Sequence, residues 1–265
     1  MIAKVAEEEI LPRFGKLSPE EVREKSSPND LVTLADEAAE RRLQVALKEI
    51  APSAGFIGEE LATKDPSAFD ALERDDAVWI VDPLDGTRNF VRGNAEFGSI
   101  VAYVKGGKTL FGWIYAALER KCAIAASGEG VSWDGAPVSV APKRAGAPNG
   151  LRSVGWLTPD WRDRIIGNLK QSFETSATHC SAFAYLKTLR GEADFKLSSR
   201  LYPWDHAAGV LMVEEAGGAA TYLDDDAAFS VGRPEDRPLL VSAAGRDHAA
   251  FIRVLTANAP SAEHQ

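Results

Sequence analysis

The sequence contains little cysteine: Cys122 and Cys180 are its two cysteines in 265 residues. It has no Cys-x-x-Cys motif, so neither a disulfide framework nor a zinc knuckle is supported. Long apolar runs are also missing, because the longest, residues 110–118, is about half of the roughly 20 residues that a membrane-spanning helix needs. We therefore expect two buried, reduced thiols and no membrane partner.

Basic residues are too few for a protein that binds a polyanion. The chain has 30 Lys and Arg against 39 Asp and Glu, a net charge of −9, so we expect no nucleic acid polymer as a partner. The first 14 residues place three consecutive glutamates where a secretory signal would carry its apolar core. This start favours a cytoplasmic protein, and it resembles the interior of a first helix more than its beginning.

One break in composition divides the chain. Hydrophobic residues make up 45% of the sequence, which is enough for a sizeable core in one large domain or in two lobes. Pro, Gly, Ala and basic residues are concentrated at 140–150. We therefore predict a boundary there, with an N-terminal α+β lobe over residues 1–140 and a C-terminal α/β lobe over residues 141–265.

Hydrophobic patterns predict both helices and strands. Thr33 and Asp36 form a capping-box-like pair, and the apolar residues that follow at helical spacing predict a helix that ends near Ile50. Gly106-Gly107 and Asp134-Gly135 are hairpin turn signals, which favour a largely antiparallel sheet in the first lobe. The other predicted elements are strands at 55–60, 77–83 and 192–198 and helices at 181–191 and 204–218.

The motif Asp82-Pro83-Leu84-Asp85-Gly86-Thr87 stands at the end of a predicted strand. Proline fixes φ near −65°, so the chain turns at once and the two aspartates can converge. Converging carboxylates repel each other unless a cation joins them, and oxygen ligands without nearby His or Cys select a hard cation such as Mg²⁺. Gly86 and Thr87 open a short helical turn whose free N–H groups suit an anion.

An Asx turn at the end of a strand would explain this motif if it stood alone. Two further acidic motifs accompany it, Gly58-Glu59-Glu60 after an apolar pair and Trp204-Asp205 at the start of a helix. Asp at a helix start is ordinary capping, so each of these is weak by itself. Their joint occurrence indicates a metal-assisted phosphate site.

With these three motifs the sequence resembles the inositol monophosphatase-like family of magnesium-dependent, lithium-sensitive phosphatases. The resemblance rests on residues 58–60, 79–90 and 204–218 and extends loosely from Lys25 to Leu240. It implies an α+β fold, namely the layered α/β/α/β/α sandwich of the inositol monophosphatase/fructose-1,6-bisphosphatase type. It also implies a cluster of two or three Mg²⁺ ions in a cleft between two lobes, and commonly a homodimer.

The resemblance further implies roles for individual residues. One metal would be held by Glu59, Asp82 and the backbone carbonyl of Leu84, and a second by Asp82, Asp85 and Asp205. Two such ions can activate a water and neutralise the leaving oxygen at phosphorus. The residues implied in catalysis are Glu59, Thr87, Asp36 and Lys25, and those implied in phosphate or substrate binding are Asp85, Gly86, Thr87, Cys180, Ser181, Ser198 and Asp205.

The sequence departs from the family where the substrate would bind. Counting back from Trp204-Asp205, the position of the glutamate that binds a sugar hydroxyl in inositol-specific members falls on Ser198. That anchor is shortened, and Lys196 and Arg200 place positive charge nearby. In addition, Cys180-Ser181-Ala182 replaces the family's usual glycine and small polar segment. A larger or more anionic leaving group fits these changes.

Three other features favour structural roles. Residues 106–109, Gly-Gly-Lys-Thr, lack the first glycine of a phosphate-binding loop because Ala102 stands there, so they predict a hairpin turn. His179 and Cys180 are adjacent and would not face one another in a regular element. His206 is predicted to be a buried or surface histidine of its helix.

The sequence therefore predicts a phosphoric monoester hydrolase that acts on small phosphorylated metabolites such as inositol monophosphate, with broad specificity. A nucleotide 2′- or 3′-phosphatase, including one for 3′-phosphoadenosine phosphates, is the alternative. A catalytically idle metal-binding relative is a third hypothesis. Such a protein would be expected to have lost a metal-site residue, and Glu59, Asp82, Asp85, Thr87 and Asp205 are all present.

Overall fold

The computed structural model describes residues 1–24, 31–74, 76–138 and 146–257. Lys25 and most of the boundary predicted at 140–150 lie outside the described residues, so the division into two lobes stays a prediction. Within the described ranges, no helix combines the length and apolar character needed to cross a bilayer.

The described residues form helices and strands in the mixed order that the sequence predicts. The helices are α1 (Ile2–Val5), α2 (Leu34–Ile50), α3 (Glu59–Lys64), α4 (Thr87–Val91), α5 (Pro159–Ser172), α6 (Ser181–Leu189), α7 (Pro203–Glu215) and α8 (His248–Thr256). The strands are β1 (Val22–Glu24), β2 (Leu31–Thr33), β3 (Gly55–Gly58), β4 (Val78–Asp85), β5 (Gly98–Lys105), β6 (Lys108–Ala116), β7 (Lys121–Ala126), β8 (Gly130–Trp133), β9 (Ala136–Pro137), β10 (Asn149–Ser153), β11 (Glu174–Ala177), β12 (Phe195–Ser198), β13 (Ala219–Tyr222) and β14 (Leu239–Ser242).

The larger sheet contains seven strands among the described residues, β3 to β9 in chain order. β3 and β4 are parallel, and every later neighbouring pair is antiparallel, which confirms the predicted sheet type. The turn between β5 and β6 places Gly106 and Gly107 at φ 56° and 73°. Positive φ at both central residues is what makes glycine pairs a reliable hairpin signal.

The smaller described sheet has the order β11-β10-β12-β14-β13. β10 runs parallel to both β11 and β12, whereas β14 runs antiparallel to β12 and β13. β12 is therefore central, with all four of its residues buried. Its carboxyl end reaches the start of α7, where Asp205 lies.

Alternating side chains on the strands separate the layers. In β4, Trp79 and Val81 pack with α2, whereas Ile80 packs with α6 and α7 on the opposite face. In β14, Val241 packs against α7 and Leu240 packs with α5 and α8. The layers thus run helix, large sheet, helix pair, small sheet, helix pair, which confirms the predicted α/β/α/β/α sandwich.

Candidate active site

The two aspartates of the central motif lie at the end of β4, all of whose residues are buried. The Leu84 N–H donates to Asp82 Oδ1 at 3.0 Å, so an Asx-type turn is present as well. Pairing with β5 is irregular between Asp82 and Asp85, and there the Ser99 hydroxyl donates to the Pro83 carbonyl at 2.7 Å. Residues three apart on a regular strand point to opposite faces, so this irregularity lets both aspartates turn to one side.

Asp205 joins them from the first turn of α7. Asp82, Asp85 and Asp205 each offer a carboxylate oxygen, and these atoms lie within 4.8 Å of one another. Burial and the nearby carboxylates, with Glu59 first among them, raise the pKa of Asp82 well above its usual value. Burial also raises the pKa of Asp205 well above its usual value, and the negative charges of Asp85 and then Glu59 add to this effect. Such convergent acids are compensated by a bound cation.

Glu59 begins α3, so the strand predicted over 55–60 was wrong beyond Gly58. The cause is Glu40 of α2, whose carboxylate accepts the backbone N–H groups of Glu60 and Leu61, each at 2.8 Å, and so caps α3. Gly58 makes room for this cap, because a Cβ there would lie 2.3 Å from the Glu40 carboxyl carbon. The cap holds Glu59 at the wall of the same pocket as Asp85.

Asp36 links the start of α2 to the motif. Its Oδ2 accepts the Thr33 N–H at 2.8 Å and the Thr33 hydroxyl at 2.6 Å, which confirms the predicted capping box. Its Oδ1 lies 2.9 Å from the Thr87 hydroxyl oxygen, which is also 2.9 Å from the Leu84 carbonyl oxygen. Burial raises the pKa of Asp36 to about 6, against the effect of its hydrogen bonds from Thr33. The predicted contact between Asp36 and Thr87 is thus present.

Gly86 and Cys180 pack against each other behind Asp85. Gly86 has φ 85°, and a Cβ there would lie 2.9 Å from the Glu96 carbonyl oxygen, so the turn into α4 requires glycine. The Cys180 thiol donates to Asp85 Oδ2 at 2.9 Å, and the Ala182 N–H donates to the same oxygen. Burial raises the pKa of the Cys180 thiol well above its usual value. Cys180 is therefore a neutral donor that positions Asp85, not a thiolate nucleophile.

The prediction of two buried thiols is wrong for Cys122. Cys180 is buried as expected, but Cys122 is only half-buried, because it lies on the face of β7 opposite the buried Ala123 and Ala125, where the core packs against it only in part. Burial nevertheless raises the pKa of Cys122 to about 11, which keeps its thiol protonated and unreactive.

A pocket of about 380 Å³ opens over the acidic cluster. Of the described residues, Lys196 lines this pocket and Ser198 does not. Ser198 is buried, and its hydroxyl accepts from Lys196 Nζ at 2.5 Å, because residues two apart share one face of β12. Burial lowers the pKa of Lys196 to about 8, against the effects of Asp205 and Asp85. Lys196 therefore occupies the part of the pocket wall where the sequence predicted that Ser198 takes the place of a substrate-binding glutamate.

The two histidines near the site differ. His206 is buried, with Nδ1 2.8 Å from the Tyr185 hydroxyl and Nε2 3.2 Å from the Arg200 carbonyl oxygen. Burial lowers its pKa well below the usual value, so it is a neutral structural group, as the sequence indicated. His179 is exposed and lines the pocket, as does Arg88. Partial burial, and secondly the positive charge of Arg88, lower the pKa of His179.

Sequence reasoning missed part of the pocket wall. Ser181 lines the pocket as expected, but Trp156, Arg88 and Tyr202 also line it and were not singled out. The signal available for Tyr202 was the aromatic-rich run at 200–204, which leads directly into Asp205. No pattern in the sequence singled out Trp156, because it lies in a loop that is distant along the sequence from every acidic motif.

Comparisons with known proteins agree with this geometry. The inositol monophosphatase family matches residues 1–259 of the chain. The chain is 34% identical over 234 residues to the histidinol-phosphatase of Mycobacterium tuberculosis, covering 84% of this chain and 85% of that protein. It is 29% identical over 213 residues to the fructose-1,6-bisphosphatase/inositol-1-monophosphatase of Thermotoga maritima, covering 80% of this chain and 78% of that protein.

The fold is also that of solved structures. The crystal structure of an IMPase/NADP phosphatase complexed with Mg²⁺ and phosphate matches with a TM-score of 0.77 and 22% identity, covering 94% of this chain and 90% of that chain. The layered sandwich is thus shared with that structure. The chain belongs to the inositol monophosphatase family and is a phosphomonoesterase of that family.

Proposed function

We propose that this phosphomonoesterase depends on Mg²⁺ and hydrolyses small phosphate esters with broad specificity. The observation that carries the proposal is the convergence of Asp82, Asp85 and Asp205, whose ligand atoms lie within 4.8 Å of one another. Buried carboxylates so close together are unfavourable unless a cation shares them. The donors are all oxygen, which suits a hard cation that keeps several of its waters.

The donor set divides into two positions. Glu59, Asp82 and the Leu84 carbonyl would hold one Mg²⁺, and Asp82, Asp85 and Asp205 would hold another. When bound, the metal supplies Lewis-acid stabilisation of charge on the phosphoryl group and a lower pKa for a water molecule.

The chain's own residues orient the reactants. The Thr87 hydroxyl has one proton to donate, and an ionised Asp36 carboxylate 2.9 Å away accepts it. The lone pairs of Thr87 Oγ1 would then act as acceptors for the attacking water, with Glu59 as a second acceptor. The Gly86 and Thr87 N–H groups at the start of α4 would hold the phosphate oxygens. The role predicted for Lys25 rests on the family resemblance alone.

Positive charge on the pocket wall favours an anionic or bulky leaving group. Lys196, Arg88 and Arg200 all line the pocket, and the position of a sugar-binding glutamate is occupied by Ser198. This supports a nucleotide 2′- or 3′-phosphatase as the second candidate. Lithium sensitivity, a homodimeric state and a cytoplasmic location are further proposals that rest on family membership.

A panel of phosphate esters assayed with Mg²⁺ tests the proposal. We expect kcat/KM for 2′-AMP or 3′-AMP to equal or exceed that for inositol 1-phosphate. Ser198→Glu would set a carboxylate beside Lys196 and neutralise that positive charge on the pocket wall, so we expect it to shift the ratio toward inositol 1-phosphate. A strong wild-type preference for inositol 1-phosphate over every nucleotide would contradict the specificity and leave the metal-assisted hydrolysis intact.

A further inference from the structure

A ladder of flat side chains runs from the mouth of the pocket toward the core. Trp156 stands at the mouth with 56% of its surface exposed. The Arg200 guanidinium carbon lies 3.8 Å from the Trp156 ring centroid and 5.2 Å from that of Tyr202. Tyr202 stacks on Trp204 at 4.8 Å and 7°, and Trp204 stacks on Phe69 at 5.9 Å and 18°. The outermost ring is thus supported from within the fold.

The loop that carries Trp156 is fixed to β12. The Trp156 N–H donates to the Ser199 hydroxyl oxygen at 3.2 Å. The N–H and hydroxyl of Ser199 lie 2.9 and 3.1 Å from the Ser153 carbonyl oxygen at the end of β10. The Arg200 guanidinium is itself paired with Asp236, at 3.2 Å. The backbone of Trp156 is therefore anchored and its ring is supported on one face before any ligand arrives, which lowers the entropic cost of binding.

The remaining face of Trp156 is suited to a second flat ring. The guanidinium covers one face, and more than half of the residue stays exposed where it lines the pocket. A planar ring stacked on that face would remove apolar surface from water, and base–aromatic stacking depends on a flat ring more than on its exact identity. A saturated ring that carries hydroxyls, as in inositol, gains less from this surface.

We propose that Trp156, supported by Arg200, is the specificity-determining platform of this phosphatase and stacks on a planar nitrogen heterocycle of the leaving group. This inference rests on the proposed function, since the ring is bound while its phosphate ester lies over the acidic cluster. The purine of a nucleoside 2′- or 3′-monophosphate and the imidazole of histidinol phosphate share the required chemistry. The pocket volume of about 380 Å³ is within the range for such ligands.

The test compares the selectivity ratio, kcat/KM for 2′-AMP or for histidinol phosphate divided by kcat/KM for glycerol 2-phosphate. We expect Trp156→Ala to lower this ratio by roughly 5- to 150-fold, the range for one lost base–aromatic stack, and chiefly through KM. Trp156→Phe keeps a flat ring and should retain most of the ratio. Phe111→Ala is the matched control, because Phe111 is an aromatic residue 44% exposed outside the pocket lining, and it should leave the ratio as in wild type.

Quenching of tryptophan fluorescence by adenosine provides a readout without turnover. We expect adenosine to quench the wild-type protein and the Phe111→Ala variant, and Trp156→Phe to lose most of that quenching. Unchanged selectivity ratios in Trp156→Ala, or no quenching of wild type by adenosine, would overturn the platform while ester hydrolysis survived. Absence of hydrolysis of every ester, with adenosine still quenching through Trp156, would overturn the proposed function and leave the platform standing. A larger loss for 2′-AMP assigns the purine, and a larger loss for histidinol phosphate assigns the imidazole.

Discussion

At the scale of single residues, Asp82 destabilises the metal-free fold but is needed as a ligand of the proposed metal site. It is 2% exposed and stands among the carboxylates of Glu59, Asp85 and Asp205. Burying one more like charge in such a place destabilises the metal-free fold. When the carboxylates share a cation, the charge of Asp82 stabilises the fold instead, which accounts for a carboxylate at this position.

Asp82→Asn should therefore separate stability from activity. Asn keeps an oxygen for the Leu84 N–H but removes the charge, so we expect the melting temperature in chelator to rise by a few degrees. Phosphatase activity with Mg²⁺ should be lost, since the ligand shared by both proposed metal positions is weakened. Melting curves and steady-state assays measure the two effects.

Glu60→Gln is the matched control, because Glu60 is also buried, at 3% exposure, but is not part of the converging cluster. It should cost less activity than Asp82→Asn. Equal losses in the two variants, or a lower melting temperature for Asp82→Asn in chelator, would mean that the site is wrongly located.

The contrast between Asp82 and Ser198 shows what sequence patterns can predict about single residues. The aspartates were predictable as a pair because Pro83 lies between them at the end of an apolar strand, although the strand continues to Asp85 and an irregularity in its pairing turns both side chains to one side. The wall residue opposite them was not, because Lys196 and Ser198 share one face of β12, and which of the two reaches the pocket depends on how β12 lies between β10 and β14. Strand register across distant segments carries no local signal.

At the scale of elements, α2 aligns two other helices of the site. Asp36 and Glu40 are four residues apart and therefore lie on one face of α2. Asp36 contacts Thr87 at the start of α4, and Glu40 caps α3 through the N–H groups of Glu60 and Leu61. One helix thus sets the relative positions of Thr87 and Glu59.

Removing the Glu40 cap should weaken both stability and catalysis. We expect Glu40→Ala to lower the free energy of unfolding by about 1–2 kcal/mol, the usual cost of losing a helix N-cap. Activity should fall as well, because α3 no longer holds Glu59 over the pocket. Urea unfolding and phosphate release are the measurements.

Glu49→Ala, at an exposed position on the same helix, is the control and should change the free energy of unfolding by less than about 0.5 kcal/mol. If Glu40→Ala matched this control in both stability and activity, the cap would have no role in placing Glu59.

The elements with strong local signals were predictable, and the others were not. The helix after Thr33 and the hairpin at Gly106-Gly107 appear where the patterns indicate. β3 ends early because its boundary is set by Glu40, which is distant in sequence. The order of the smaller sheet could not be read from its strands, since segments of only four or five residues carry little information about which partner each will pair with.

At the scale of the whole molecule, pH should act on the metal-free protein through the acidic cluster. The pKa of Asp36 is raised to about 6, and the pKa values of Asp82 and Asp205 are raised well above their usual value, so the folded chain binds more protons than the unfolded chain above the ordinary Asp range. Stability therefore falls as pH rises through this window. The full contribution of these protonated groups to the free energy of unfolding is present only at pH values below the pKa that an aspartate has in the unfolded chain.

We expect the free energy of unfolding in chelator to fall as pH rises from about 5 through the raised pKa of Asp36, about 6, and onward as Asp82 and Asp205 ionise, and to fall less steeply in Asp82→Asn. Carboxylates with lowered pKa values, such as Glu9 and Glu37, have completed their contribution below this range. Burial lowers the pKa of His206, which adds stability as pH rises through the ordinary histidine range, so the difference between the wild type and Asp82→Asn is the quantity to measure. Mg²⁺ should restore stability most at the upper end, where the carboxylates are ionised. Urea unfolding across pH measures both effects, and equal slopes in the wild type and in Asp82→Asn would contradict the role of the acidic cluster.

The most direct test of the central claim is phosphate release by protein stripped with a chelator and then supplied with Mg²⁺. The substrates are inositol 1-phosphate and 2′-AMP, and Asp82→Asn runs in parallel. We expect the stripped wild-type protein to be inactive, Mg²⁺ to restore hydrolysis, and Asp82→Asn to stay inactive in both conditions. Full activity of the stripped wild-type protein without any divalent metal would contradict that claim.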